Sequence, residues 1–481
     1  MRTGTSFRWL AALVLWLGPL LAAHATHILG GEITYSPVAS TTAGVPRYRV
    51  ATRLYSDPAS PATQSNIQLE ISQGGCGPLT ATYSLLTVPA SQSSTTYALG
   101  CLGAPGVAYR VQLFETDVNL PPGQWTFSVN VVNRAANLVN LVNSVNSSCY
   151  ISAFLNNALV GSNTSPKFLS TLLPYLCNGS AQRYSFSTFD SDGDSLVYQF
   201  RQPEQAITLT SPTTAACSFA VPGTLSPHFQ LNAATGSLTT VPAPVQQGVY
   251  AMAARVSEFR RVSGSWQLIG YVTRDISYLA IGSVNETPRF TSLRLNGAAN
   301  PQPLAQTIRV QPGQAVTLAL EAADPDAGQT LRFESQAPGA MPGLSLTTTG
   351  ATSALLTWQV PATLPLGRYT ATVAVLDNGC PNASEEYTFV FLVAPQALAA
   401  RPASSPAAEA YPTPFREQVQ FKTAPNQVVV LFDALGREVA RLTSASDGLV
   451  RWQPASALPA GLYLARAAAD GQPLARLLRA E

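Results

Sequence analysis

Two stretches of this chain, about 130 residues apart, set out the same elements in the same order, and this repetition limits the fold more than any other feature. The first runs from Ser185 through the acidic turn Asp190-Ser191-Asp192-Gly193-Asp194 into Ser195–Tyr198. It continues through Phe229–Leu238 to Gly248–Val256. The second runs from Leu320 through Asp324-Pro325-Asp326-Ala327-Gly328 into Thr330–Phe333, then through Leu344–Trp358 to Gly367–Val375. Strand, acidic turn, strand, glycine turn and a Gly-x-Tyr strand appear twice. Short alternating runs parted by turns build a β-sandwich each time.

The same style extends to both sides. Glu32–Tyr35 alternates, entered through the pair Gly30-Gly31, which reads as a flexible entry to a first strand. Arg47–Tyr55, Ile67–Ser72, Ala108–Glu115 and Gln124–Val132 follow, separated by turn clusters such as Pro121-Pro122-Gly123. Between Asn130 and Asn146 an asparagine returns every three or four residues. Asparagine is poor inside helices, and the stretch is short for a solenoid, so polar turns laid over the sandwich are expected. Only 11% of residues are charged, a composition of strands and turns rather than of amphipathic helices. The expected class is all-β, a series of tandem sandwiches. The expected divisions are 26–180, 181–283, 284–395, a Pro/Ala/Ser linker at 396–408, and a small terminal sandwich at 409–481.

The N-terminal end reads as an export signal. Residues 1–25 have the parts of a secretory signal peptide: Arg2 and Arg8, an apolar run from Trp9 to Leu21, and the small-x-small site Ala23-His24-Ala25. Cleavage after Ala25 would start the mature chain at Thr26. That apolar run is short for the ~20 residues of a membrane helix, and no transmembrane span is expected in the mature chain. A net charge of +2 gives no electrostatic case for nucleic acid. At the other end, from Glu409, alternating runs are broken by Asp-x-x-Gly and Pro-x-Gly turns.

Six cysteines in an exported chain predict disulfides, and six allow fifteen pairings. Sequence alone does not choose among them; the candidates taken are Cys76 with Cys101 and Cys149 with Cys177, each closing a loop of about 25 residues worth roughly 3 kcal/mol in the chain-entropy model. Cys217 and Cys380 are left over.

Three carboxylates in one turn, at Asp190, Asp192 and Asp194, repel one another, and this argues for a cation. Calcium takes six to eight oxygens, and a tightly curling Asp/Gly turn offers them. The twelfth position from Asp190 is Arg201, so this is no EF-hand. Asp324 and Asp326 form a sparser second cluster. The competing reading is a plain turn, since Asp and Gly adopt turn angles without metal.

Little points to catalysis. Beyond the signal segment only His27 and His228 remain, each isolated. There is no His-Glu-x-x-His zinc motif, no Gly-x-Ser-x-Gly elbow and no phosphate loop. A carboxylate pair serving a glycosidase is the one enzymatic alternative. Trp125, Trp266 and Trp358 are candidates for stacking on sugars, but each sits in an alternating strand, where core packing is the expected role.

Three resemblances add to this. Tyr411, Pro412, Pro414 and Phe415, then Asp433, Gly436 and Arg437, then Leu458, Gly461 and Tyr463, with a basic end, resemble the type A C-terminal sorting domain of Bacteroidota type IX secretion substrates. Thr413 stands where that family has Asn. Thr26–Tyr35 and Tyr48–Tyr55 resemble an N-terminal module of Bacteroidota surface proteins that accompanies gliding-motility or adhesin-like architectures. The middle repeats resemble cadherin-like and Ig-like domains, and Asn285–Phe290 is similar to a cadherin inter-repeat linker with fewer acids. A cadherin-like calcium site would draw a further acid from each Gly-x-Tyr strand, namely Glu258 and Asp377. These resemblances imply a non-enzymatic adhesive or structural protein at the cell surface or outside the cell. It would be delivered through the periplasm by the type IX translocon, with surface glycans or other surface proteins as partners. The alternative is a secreted carbohydrate-binding protein or glycosidase accessory.

Overall fold

The computed structural model describes residues 28–480, apart from 61–63, 74–76, 79–82, 93, 100–106, 171–172, 178–180, 207–213, 216, 225–227, 241–244, 396–409, 435 and 456. The signal segment with Ala25 and Thr26, the linker, Cys76 and Cys101 lie outside the described residues. Two compact units are formed, Met1–Pro395 and Gln396–Glu481. Both are built of β-sheets, and the fold is all-β with Ig-like and cadherin-like sandwiches.

The spine of the first unit is the 17-residue strand Ser265–Ile281. One edge pairs along its length with Gly248–Val262. The other edge is shared. Cys149–Asn156 pairs at 270–272, Ile28–Val38 at 274–276, and Tyr175–Cys177 in parallel at 279–281. Two sheets diverge from this edge. One continues through Gln124–Val131, Asn66–Gln73 and Tyr83–Pro89; the other through Arg47–Ser56, Val107–Asn119 and Thr95–Leu99. A single apolar core joins Ile33, Tyr48, Leu54 and Phe127 to Tyr198, Met252, Val256 and Tyr278. The sheet therefore runs unbroken across the division expected at 180/181. The repeat strands are longer than their alternation suggested, and the N-terminal strands dock onto their free edge.

The Gly30-Gly31 pair is a point of close approach rather than a flexible entry. Gly30 has φ +140°, and a Cβ there would stand 2.0 Å from the Asp275 carbonyl oxygen. A Cβ on Gly31 would stand 2.7 Å from the Arg53 carbonyl oxygen. With no side chains there, the backbone fits between its two neighbours and delivers Glu32 to a buried position between Arg53 (2.6 Å) and Arg274 (3.1 Å). Arg274 is itself fully buried, against the Phe168 and Tyr55 rings. The asparagine run forms turns as expected. Asn133, Asn137 and Asn143 take left-handed φ of 68°, 57° and 53°, which Asn tolerates better than most residues. Asn140 clamps both backbone groups of Ala251.

Residues 284–395 form a sandwich of two four-stranded sheets, ordered 289–295, 315–323, 353–359, 344–348 and 307–310, 384–393, 367–376, 332–334. Thr307–Val310 runs parallel to its partner. Its core is Leu318, Leu320, Trp358, Val373 and Phe391, into which Leu169 and Phe189 also reach. Phe168 and Phe186 thus belong to the first core and their neighbours Leu169 and Phe189 to the second. Ser170 Oγ and the Ser185 N–H donate to the Glu386 carboxylate at 2.7 and 3.0 Å. Thr370 Oγ1 donates to the Thr188 carbonyl at 3.1 Å, and Phe189 packs on Tyr369.

The second unit pairs the sheet 438–443, 428–432, 461–467, 473–479 with the ribbon 419–422, 449–452. Its core is Phe415, Val419, Leu431, Trp452 and Tyr463. The Gly-x-Tyr strands share one corner, three times over. Tyr250, Tyr369 and Tyr463 each donate their hydroxyl to the carbonyl four residues back, at Gln246, Pro365 and Pro459. A tyrosine bonded back to upstream backbone is a recurrent corner of Ig-like sandwiches.

Disulfide expectations need correction. Cys149 is a free, buried thiol, so the Cys149–Cys177 pair is not formed. It faces the interior beside the buried ion pair of Arg134 and Asp275, and burial raises its pKa to about 12. Cys217 and Cys380, left over from the sequence, are both disulfide-bonded.

Candidate functional site

Among the described residues, one group of three acids brings ligand atoms within 4.8 Å of one another: Asp190, Asp194 and Glu258. All three are buried. The acidic turn supplies the first two. Asp190 Oδ1 accepts the N–H groups of Asp192, Gly193 and Asp194 at 2.8, 2.8 and 3.3 Å. Gly193, at φ +77°, makes that curl possible. Glu258 comes from the Gly-x-Tyr strand, as the cadherin resemblance implied. Glu258 is paired with Gly270, beside a bulge in the Gly270 strand, and a Cβ at Gly270 would lie 2.2 Å from Glu258 Oε2. The carboxyl fits because that position has no side chain.

The counter-ion of the turn is in the chain itself. Arg260 Nε and Nη2 donate to the two Asp194 oxygens at 2.7 and 2.6 Å, and Nη2 reaches Asp192 Oδ2 at 3.3 Å and Asn163 Oδ1 at 2.8 Å. Asp192 lies outside the buried trio, with Oδ2 also accepting the Thr164 N–H at 2.8 Å. Glu258 Oε1 accepts from Asn163 at 3.0 Å. The Tyr35 hydroxyl lies 2.8 Å from the Phe154 carbonyl and 3.1 Å from Glu258 Oε2. It has one proton for two acceptors. Asp190 Oδ2 is reached by no N–H or O–H donor.

These contacts set the charges. Burial raises the Glu258 pKa well above the carboxylate range, and Asp190 beside it adds to the shift. Burial, then Asp194, raises Asp190 to about 6. Much of the repulsion that argued for an external cation is met by Arg260, which binds Asp194 and Asp192. For calcium the fit is partial: three carboxylates converge, but Arg260 holds both Asp194 oxygens, and Asp190 Oδ2 is the free one.

The second acidic turn is built differently. Asp324 Oδ1 accepts the Asp326 N–H, and Asp326 Oδ2 accepts the Glu286 N–H, both at 2.8 Å. Asp377 accepts the N–H groups of Gly379 and Ala383 and the amide of Asn285. The linker-like Asn285-Glu286 is pinned into the turn by hydrogen bonds. Burial raises both Asp324 and Asp377.

Beside the first cluster lies a cleft of about 310 Å³. Asp190, Asp194 and Thr188 line one side, and Leu366, Arg368 and Thr370 the other. Trp266 stands at its edge, 60% exposed. The expectation of core packing holds for Trp125 and Trp358, at 2% and 0% exposure, and fails for Trp266. That residue pairs with Arg261 two residues past the hairpin turn Ser263-Gly264, with φ of 50° and 87°, and is left uncovered there.

In the second unit, Phe415 and Tyr463 are core residues, whereas Tyr411 is 73% exposed. Asp433 accepts the Arg437 N–H and its guanidinium, at 2.9 and 2.7 Å, across the turn that contains Gly436 at φ +80°. Gly461, with φ +151°, opens the Tyr463 strand. Pro412 and Pro414 lie exposed in the opening segment.

Sequence reasoning missed Arg260, Asn163 and Tyr35. Arg260 had a signal, since it lies two residues past Glu258 in the same strand; the other two come from more than 90 residues away.

No protein-family model and no curated protein matches the chain. Among solved structures it is similar to dimeric latent PorU from Porphyromonas gingivalis, at 15% identity and TM-score 0.16, covering 66% of this chain and 34% of that one. It is also similar to the human desmocollin-1 ectodomain, at 11% identity and TM-score 0.17, covering 76% and 73%. A third is SGBP-B of a Bacteroides ovatus mixed-linkage glucan utilization locus, in complex with a heptasaccharide, at 10% identity and TM-score 0.14, covering 66% and 68%. The chain spans 34% of the length of PorU. Likeness at these TM-scores carries nothing about function; the sandwich class rests on the sheets described above.

Proposed function

We propose that this chain is a non-enzymatic exported protein, adhesive or structural, that acts at the cell surface or outside the cell after delivery by the type IX translocon. One observation carries the reading. The residues resembling a sorting motif belong to one compact unit, Gln396–Glu481, separate from the rest. Phe415 and Tyr463 build its core, while Tyr411 and the Arg437 side chain remain exposed for recognition. Among the described residues no helix is long and apolar enough to cross a membrane. Deleting 409–481 is expected to trap the protein in the periplasm. Arrival of the truncated chain at the surface or in the medium defeats the sorting reading.

Calcium belongs to this proposal at the first cluster. The three converging carboxylates and the free Asp190 Oδ2 support it. An entering ion must compete with Arg260 for Asp194, which places its affinity near the weak end of extracellular calcium modules, ~10⁻⁴–10⁻³ M. In the second turn Asp324 Oδ2 also lacks a donor, but Asp326 and Asp377 are held by backbone and amide donors and no three acids converge there among the described residues, so it is not proposed as a site.

A second reading, carbohydrate binding, is favoured by one specific observation: the exposed Trp266 beside a cleft containing acids, hydroxyls and an arginine.

A further inference from the structure

The cleft beside Trp266 carries an exposed aromatic ring that the fold does not use. Trp266 is large, flat and 60% exposed, and the Arg261 guanidinium lies 6.0 Å from its ring centre. Leu366, at 55%, is the exposed apolar residue of the other wall. An indole that fills a core or caps a strand is buried, as Trp125, Trp358 and Trp452 are. Exposing one at a cleft forfeits the stabilisation that its burial would bring.

The polar lining narrows the ligand. It sets the Asp190 carboxylate, whose Oδ2 has no donor, beside hydroxyls at Thr188, Ser195 and Thr370 and a donor at Arg368. Donors and acceptors of both signs suit a molecule with many hydroxyls, each able to give and take a hydrogen bond. A cationic peptide is less well matched, because Arg260 already holds both Asp194 oxygens and Arg368 faces the same space. An anion meets Asp190 and Asp194. A pyranose combines an apolar C–H face, which stacks on indole, with hydroxyls around its edge. The volume, about 310 Å³, lies at the small end of ligand pockets.

Both walls belong to the same compact unit. Asp190–Tyr198 and Trp266 come from the long-strand sheet and its acidic turn, Leu366–Thr370 from the following sandwich. Cross-bracing at Thr188–Thr370 and Phe189–Tyr369 fixes their separation, so a ligand meets a preformed site with little ordering cost.

We propose that the cleft between Trp266 and Leu366–Arg368 binds a neutral pyranose, as a single sugar unit or the end of an oligosaccharide. This rests on the carbohydrate-binding reading and assigns its site. The test is a panel of neutral oligosaccharides (glucan, xylan, mannan, galactan and chitin fragments) presented to the purified mature chain in calcium-free buffer. Isothermal titration calorimetry of the best binder follows. The expected result is saturable binding that Trp266→Ala weakens at least tenfold and Trp266→Tyr weakens less, with melting temperatures unchanged in both variants. Saccharide binding that Trp266→Ala leaves intact overturns the cleft assignment while the carbohydrate reading survives. Binding to no saccharide overturns both, and so does Trp266-dependent binding of poly-lysine alone. Export measured on the 409–481 deletion is independent of all these outcomes.

Discussion

Arg260 grips Asp194 with two parallel hydrogen bonds, at 2.7 and 2.6 Å, in a position where calcium was expected. The pair is bidentate, the stronger geometry for arginine and carboxylate. It explains how three aspartates within one turn coexist, and it makes the turn's cation part of the fold.

Arg260→Gln tests this. The change removes the guanidinium and leaves Asp194 buried with an uncompensated charge, a loss of about 1–3 kcal/mol once the partial exposure of Arg260 is allowed for. Millimolar calcium is expected to restore much of the melting temperature of the variant and to shift the unaltered protein far less. Thermal unfolding in EDTA and in calcium chloride reads both. A variant as indifferent to calcium as the parent removes calcium from the cluster.

Glu386 gives the molecule a pH dependence. Burial at the junction raises its pKa from 4.5 to about 7, against the opposing pull of the Ser170 and Ser185 hydrogen bonds. The folded protein then holds a proton between those values that the unfolded chain has released. Stability from this group is full below about pH 4.5 and declines as pH rises through 7. The ceiling is about 3 kcal/mol, lowered by residual solvent access. Glu386→Gln is expected to be neutral or slightly destabilising at pH 5 and stabilising by a few degrees at pH 8. Calorimetry at the two pH values checks it, and a variant whose offset from the parent does not change with pH contradicts the assignment.

How far the sequence was legible follows from the range of each interaction. The acidic turn and the Gly-x-Tyr strands are local patterns, and they fold as local patterns do. Glu258 was placed through a resemblance that already specified which strand faces the turn. The merging of 26–180 with the first repeat was not visible, because strand alternation names the buried face and leaves the edge partner open. Gly30-Gly31 was the one trace of it, misread as flexibility because a glycine forced by a neighbour's backbone looks the same in sequence as one in a hinge. Trp266 was misassigned for a related reason. Two positive-φ residues make a tight hairpin tip, and alternation alone does not say where a sheet ends.

The glycine argument is itself testable. Gly30→Ala places a Cβ 2.0 Å from the Asp275 carbonyl oxygen at φ +140°, so the backbone must separate from the central strand. A loss of at least 3 kcal/mol is expected, near the severe end for single substitutions. Gly264→Ala, at φ +87° with nothing within 4 Å, bears only the backbone strain of about 1 kcal/mol. Chemical denaturation of the two variants side by side separates close approach from conformational preference; equal losses would sink the docking explanation.

The C-terminal unit allows folding and recognition to be told apart. Phe415 is 1% exposed, its ring centre lies 5.6 Å from that of Trp452, and its N–H bonds the Leu478 carbonyl. Phe415→Ala is expected to destabilise the unit by about 3–5 kcal/mol and to abolish export by unfolding the signal. Tyr411→Ala and Arg437→Ala alter exposed side chains and should leave the melting temperature of the unit within a degree or so. If the translocon reads this surface, the two exposed variants lose export while remaining folded, and surface proteolysis of intact cells reports the loss. Full export of both would confine the motif to a structural role, with recognition elsewhere in the unit.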